Sequence, residues 1–112
     1  MRYDAKRKST YYLPTQGLGF GILRNNSFAQ HIDIQSIVLQ KGDVFLFYTD
    51  GIIDARNTIQ EEYGYDRFLD CVHTHAQESP TNLLKKIQID WDTFAQNTLQ
   101  YDDYTALVLR VE

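Results

Sequence analysis

Between Ser9 and Leu13 β-forming residues dominate, and Pro14 stops the run. Gly17-Leu18-Gly19-Phe20-Gly21 then places three glycines at alternate positions, which predicts a loop. Beyond it, Phe28, Ile32 and Ile34 share one parity while His31, Asp33 and Gln35 share the other, the pattern of a half-buried strand. The phase slips at Ile37 and Leu39. A bulge near Gln35-Ser36 is therefore expected to return both side chains to the buried face of a strand over Phe28 to Leu39. Gln40-Lys41-Gly42-Asp43 reads as a turn, and Val44 to Thr49 is apolar on both parities, as in a strand covered on both faces. These two runs together predict a β-hairpin.

The period then changes. Ile52 to Asn57 fits a short helix or turn, and Thr58 to Gly64 a polar loop. Phe68, Leu69 and Val72 recur at helical spacing from Tyr65 onward, in a helix that fades by Gln77. Ser79-Pro80 supplies an N-cap and a first-turn proline, after which Leu83, Leu84, Ile87, Trp91 and Phe94 trace one apolar stripe. Gln100 to Asp103 is a polar link before a last strand over Tyr104 to Val111, with Leu107, Leu109 and Val111 on one parity. Strands clustered before helices, with one strand returning, indicate an α+β fold with helices packed on an antiparallel sheet.

A chain of 112 residues that is 43% hydrophobic and 23% charged suits one domain or part of one. Its longest apolar run, Val44 to Tyr48, falls far short of the roughly 20 residues that cross a bilayer, so no membrane segment is expected. Arg2 and the cluster Lys6-Arg7-Lys8 follow Met1 with no apolar stretch behind them, so no secretory signal is expected and a cytoplasmic location is. A net charge of −4 opposes nucleic-acid binding but permits carboxylates to converge on a divalent cation. Cys71, the only cysteine, excludes an intrachain disulfide and reads as a packing residue.

Three groups of residues carry candidate chemistry. The glycines at positions 17, 19 and 21 lack the third glycine that a dinucleotide fingerprint places three residues after the second, since position 22 is isoleucine. His73 and His75, two apart on a helix, point about 200° from each other and are poorly placed to share a metal. Asp50, by contrast, ends an apolar strand, Gly51 lets the chain turn away, Asp54 follows one helical turn later, and Asp102-Asp103 precede the last strand. Aspartates at such places serve as caps and turn residues as well as ligands, and spacing leaves both readings open.

Resemblance distinguishes them. Gly42-Asp43-Val44-Phe45-Leu46-Phe47-Tyr48-Thr49-Asp50-Gly51-Ile52-Ile53-Asp54-Ala55-Arg56-Asn57 resembles the signature of bacterial metal-dependent serine/threonine phosphatases of the stage II sporulation protein E type, in the PPM group. Asp102-Asp103-Tyr104-Thr105-Ala106-Leu107-Val108-Leu109 resembles the closing motif of that family, with Leu18 to Ile22 and Glu62-Tyr63-Gly64 as landmarks in the right order. The resemblance implies part of an α-β-β-α sandwich, in which two antiparallel sheets are flanked by helices and hold two Mn2+ or Mg2+ ions. It assigns Asp50 and Asp102 as metal-binding, catalytic aspartates, Asp54 to a supporting acidic position and Asp103 to a neighbouring role. It further implies cytoplasmic signalling in which water attacks a phosphoserine or phosphothreonine protein, such as an anti-anti-sigma factor.

The family's upstream half, with its ion-bridging aspartate and the first strands of both sheets, has no counterpart here. Residues 1–112 thus read as the carboxy-terminal portion of the domain, weak or inactive alone. A non-catalytic phosphatase remnant serving as an interaction module is the alternative, with self-association through uncovered strands expected. An unrelated α+β ligand-binding domain is a third reading.

Overall fold

The computed structural model describes residues 1–14, 36–96, 98 and 103–112. Strand β1 (Arg2–Asp4) pairs antiparallel with β2 (Ser9–Tyr11), in the register Arg2↔Tyr11 and Asp4↔Ser9. The buried Asp4 closes the turn between them by accepting the Arg7 N–H at 3.0 Å. Next come β3 (Val44–Tyr48), the one-turn helix α1 (Asp50–Ile53), α2 (Gly64–His75), α3 (Pro80–Ala95) and β4 (Ala106–Arg110). The strand order β2-β1-β3-β4 makes one antiparallel sheet with β3 inside it.

That order corrects the expected hairpin. On one side of β3 all five residues pair with β4; on the other, Arg2 and Tyr3 pair with Phe45 and Val44, and the Leu46 N–H donates to the Met1 carbonyl at 2.9 Å. Residues 36–40 form no strand and Leu39 is 60% exposed, so no bulge returns it to a buried face. The upstream part of the expected strand, Phe28 to Gln35, lies outside the described residues, as does the glycine-rich loop.

The helices match the apolar stripes closely. Ser79 caps α3, its Oγ accepting the Asn82 N–H at 3.2 Å, and Pro80 opens the first turn, where its missing N–H costs nothing. Leu83, Ile87, Trp91 and Ala95 are buried along one side, with Leu84 left at the margin. Gln96 ends the helix in the left-handed region. Phe68, Cys71 and Val72 of α2 meet Tyr3, Val44 and Leu46 in the same core. Each fully buried side chain of this size contributes about 1.5–3 kcal/mol.

The helices cover only one face. Arg110 of β4 donates to the Ala76 carbonyl on that side at 3.0 Å. On the opposite parity Phe47 is 55%, Leu107 54% and Leu109 50% exposed. The expectation that β3 is covered on both faces is therefore not met among the described residues, because no described element packs over Phe47.

Asp43 anchors the base of β3. It is wholly buried, yet its carboxylate accepts the Ala5 N–H at 2.9 Å, the Gln40 N–H at 3.2 Å and the Arg2 guanidinium at 2.8 Å. Burial opposes its charge, but these donors outweigh that and hold the carboxyl below its ordinary value.

Candidate functional site

At the far end of β3 the ladder runs on past the named strands. The Thr49 N–H donates to the Thr105 carbonyl at 3.0 Å, and the Thr105 N–H donates to Thr49 Oγ1 at 2.9 Å. The residue before Asp50 is thus tied to the segment that follows Asp103. Helix α1 begins two residues earlier than expected, closed by an Asp54 N–H bond to the Asp50 carbonyl at 2.9 Å.

Gly51 shows how tightly the two segments meet. A Cβ added there overlaps the Asp103 carbonyl oxygen, 2.9 Å from its carbon and 3.2 Å from Tyr104 Cα. Glycine is needed here for close backbone approach rather than for an unusual dihedral angle. Chain positions some fifty residues apart, singled out separately for their aspartates, are therefore neighbours in the fold.

Asp50, Asp54 and Asp103 are all exposed at this end, while Asp102 lies outside the described residues. Among the described residues no three His, Cys, Asp or Glu side chains form a metal-binding group. The donors that are present, carboxylates and backbone carbonyls, are hard oxygen ligands of the kind Mg2+ and Mn2+ take, so the described part of the site fits such an ion in donor chemistry as an incomplete set. Aromatic residues back it. Tyr12 donates to the Tyr65 carbonyl at 2.6 Å and packs edge-on against Tyr48, whose phenol is raised by burial and then by Tyr65 and Asp50.

Other candidate residues lie apart. His73 Nδ1 is 2.7 Å from Thr10 Oγ1, whereas His75 faces Glu78 at 3.4 Å, so each imidazole has its own partner. Burial, with Asp90 nearby, pushes the Cys71 thiol up to about 11, which suits packing and not nucleophilic attack. The Glu62-Tyr63-Gly64 landmark is structural: Tyr63 is buried, its hydroxyl donates to Asp90, and Gly64 enters α2 at φ 79°.

Sequence reasoning missed the part played by Trp91, placed in the apolar stripe of α3. Its indole N–H donates to the Ile52 carbonyl of α1 at 3.1 Å, and its ring lies over Tyr104 at 4.4 Å. The available signal was chemical: a buried tryptophan brings a donor that must find an acceptor.

Residues 1–112 match the family described as Stage II sporulation protein E (SpoIIE). Protein IcfG of Synechocystis sp. is 27% identical over 97 residues, covering 87% of this chain and 14% of the relative. The solved SiaA-PP2C domain of Pseudomonas aeruginosa superposes with a TM-score of 0.65 at 25% identity, over 68% of this chain and 31% of that one. The chain thus spans well under half the length of either relative. With this match along its length, a PP2C domain as structural neighbour and its two aspartate motifs joined at one end of an antiparallel sheet, the chain belongs to the SpoIIE family, as part of a PPM-type phosphatase domain.

Proposed function

We propose that this chain is the carboxy-terminal portion of a metal-dependent protein serine/threonine phosphatase domain, with Asp50 and Asp102 as ligands for Mn2+ or Mg2+. The observation that carries the reading is the contact of Gly51 with Asp103, which sets the Asp50 segment beside the residue that follows Asp102. Asp50 is exposed and follows a strand end held by β4 through Tyr48 and by the two Thr49–Thr105 hydrogen bonds, so its backbone is anchored while its carboxylate reaches solvent. When bound, divalent ions supply Lewis-acid activation of water and charge neutralisation at phosphoryl oxygens. From membership of this family we take water as the attacking group and a phosphoserine or phosphothreonine protein, such as an anti-anti-sigma factor, as the substrate.

Two carboxylates are a sparse set for divalent ions that take about six oxygen donors each, so we expect this chain alone to bind metal weakly and turn over slowly. The test combines manganese calorimetry with hydrolysis of p-nitrophenyl phosphate and a phosphoserine peptide. Manganese binding lost in Asp50→Asn and Asp102→Asn supports the assignment. Binding or hydrolysis indifferent to both substitutions overturns it, and robust turnover abolished by Asp50→Asn would overturn the partial-domain reading alone.

The exposed apolar face of Phe47, Leu107 and Leu109 favours a second reading, an interaction module that pairs with another copy of the chain. No manganese binding together with a stable homodimer on sizing would select it.

A further inference from the structure

We infer that Trp91 is a positioning residue for the candidate site, joining the segment that carries Asp50 to the one that follows Asp102; the inference rests on the metal-site reading above. Helix α1 has four residues, far fewer than the roughly 12–15 at which an isolated helix becomes even marginal. It has no side-chain N-cap, since Thr49 spends its hydroxyl on the Thr105 N–H. Its direction is therefore set by tertiary contacts.

Trp91 supplies two of these at once. Its Nε1–H satisfies the Ile52 carbonyl, one of the last-turn carbonyls that a helix leaves without an internal partner, in a buried bond of 3.1 Å. Its ring lies against Tyr104 with the planes 35° apart, one residue beyond Asp103, whose carbonyl abuts Gly51. One buried indole on α3, 7% exposed, thus touches both motif segments from the core side, while Thr49 and Thr105 link them along the ladder. A shift of either segment breaks the hydrogen bond or the stacking, so the approach of the Asp50 segment to Asp103 and Tyr104 is coupled to a buried side chain that is itself no metal donor.

The test compares the parent chain with Trp91→Phe, which keeps a ring and removes the N–H, and with Ile87→Val, a core truncation one turn away on the same helix. Amide exchange and manganese affinity are measured on folded protein. In Trp91→Phe the Thr49 and Thr105 amides are expected to exchange about tenfold faster and the manganese Kd to rise about tenfold, the lower end of the range for groups that orient ligands. In Ile87→Val both quantities stay at the parent value.

Unchanged exchange and affinity in Trp91→Phe, or an equal loss in Ile87→Val, would overturn the positioning role. Asp50→Asn separates the two proposals. Parent binding that is absent, or that survives Asp50→Asn, overturns the metal site and this role with it. Binding lost in Asp50→Asn but untouched in Trp91→Phe overturns the positioning role alone.

Discussion

Gly51→Ala tests the joining of the two motif segments through the sign of its effect. Gly51 lies inside helix α1 with ordinary helical dihedral angles, and alanine there is intrinsically better than glycine by about 0.5–1 kcal/mol. Were the space beside it open, the substitution would stabilise the protein. The added Cβ instead overlaps the Asp103 carbonyl and stands 2.9 Å from its carbon, against about 3.5–4.0 Å for comfortable contact. Both partners are backbone, so no flexible side chain can swing aside. Overpacking costs about 1–3 kcal/mol in general, and with two backbone atoms under 3.0 Å the upper part of that range, about 2–3 kcal/mol, applies, leaving a net destabilisation of about 1–2 kcal/mol once a helix gain of about 1 kcal/mol is subtracted. For a chain of 112 residues that lowers the Tm by about 4–8 °C in calorimetry. The Thr105 amide, held by Thr49 Oγ1, is expected to lose protection from hydrogen exchange at the same time. A raised or unchanged Tm would refute the close approach, and with it the geometric basis for setting the Asp50 segment beside Asp103.

Asp43→Asn removes the charge that neutralises Arg2 and should cost about 3–5 kcal/mol in urea unfolding. Because the folded-state carboxyl of Asp43 sits below its ordinary value of 3.8, its contribution is complete above that pH and fades as pH falls further. An acid limb of stability below about pH 4 that is equally steep in Asp43→Asn would contradict that assignment. Ser79→Ala deletes the cap of α3 and is expected to cost about 1 kcal/mol, read as a lowered urea midpoint; an unmoved midpoint would show the bond to be idle. The Cys71 thiol, pushed up to about 11, should react with iodoacetamide at pH 8 roughly a hundredfold more slowly than an unfolded thiol, and equal rates would place it in solvent.

Elements with their own local signals were legible in the sequence. Ser79-Pro80 with its apolar stripe specifies α3 from capping and periodicity, and Leu107 with Leu109 marks β4 by alternation. Strand β1 was not legible, because Arg2-Tyr3-Asp4 is too short and too charged to show a period and is held by Phe45 and Val44 far along the chain. The hairpin expected beside Val44 failed for the complementary reason, since the register that would have accommodated it belongs to Met1 through Tyr3. Resemblance identified Asp50 and Asp102 as candidates, but no spacing rule could reveal that Gly51 rests on Asp103. The bond from Trp91 to Ile52 is equally a product of tertiary packing, foreshadowed only by an indole that needed an acceptor.

The placing of β4 against β3 bears on how the molecule acquires its shape. Tyr48 and Ala106 lie about 60 residues apart in the chain, with α1, α2 and α3 between them. Closing a loop of that length costs about 3.6 kcal/mol of chain entropy before any ladder bond compensates. Of its partners among the described residues, β3 can first recruit Met1 through Tyr3 during synthesis, and the edge that meets β4 waits unzipped until residues 106–110 leave the ribosome. Assembly of the aspartate-bearing end is thus among the last events of folding, and a nascent chain halted before β4 would be a client for chaperones.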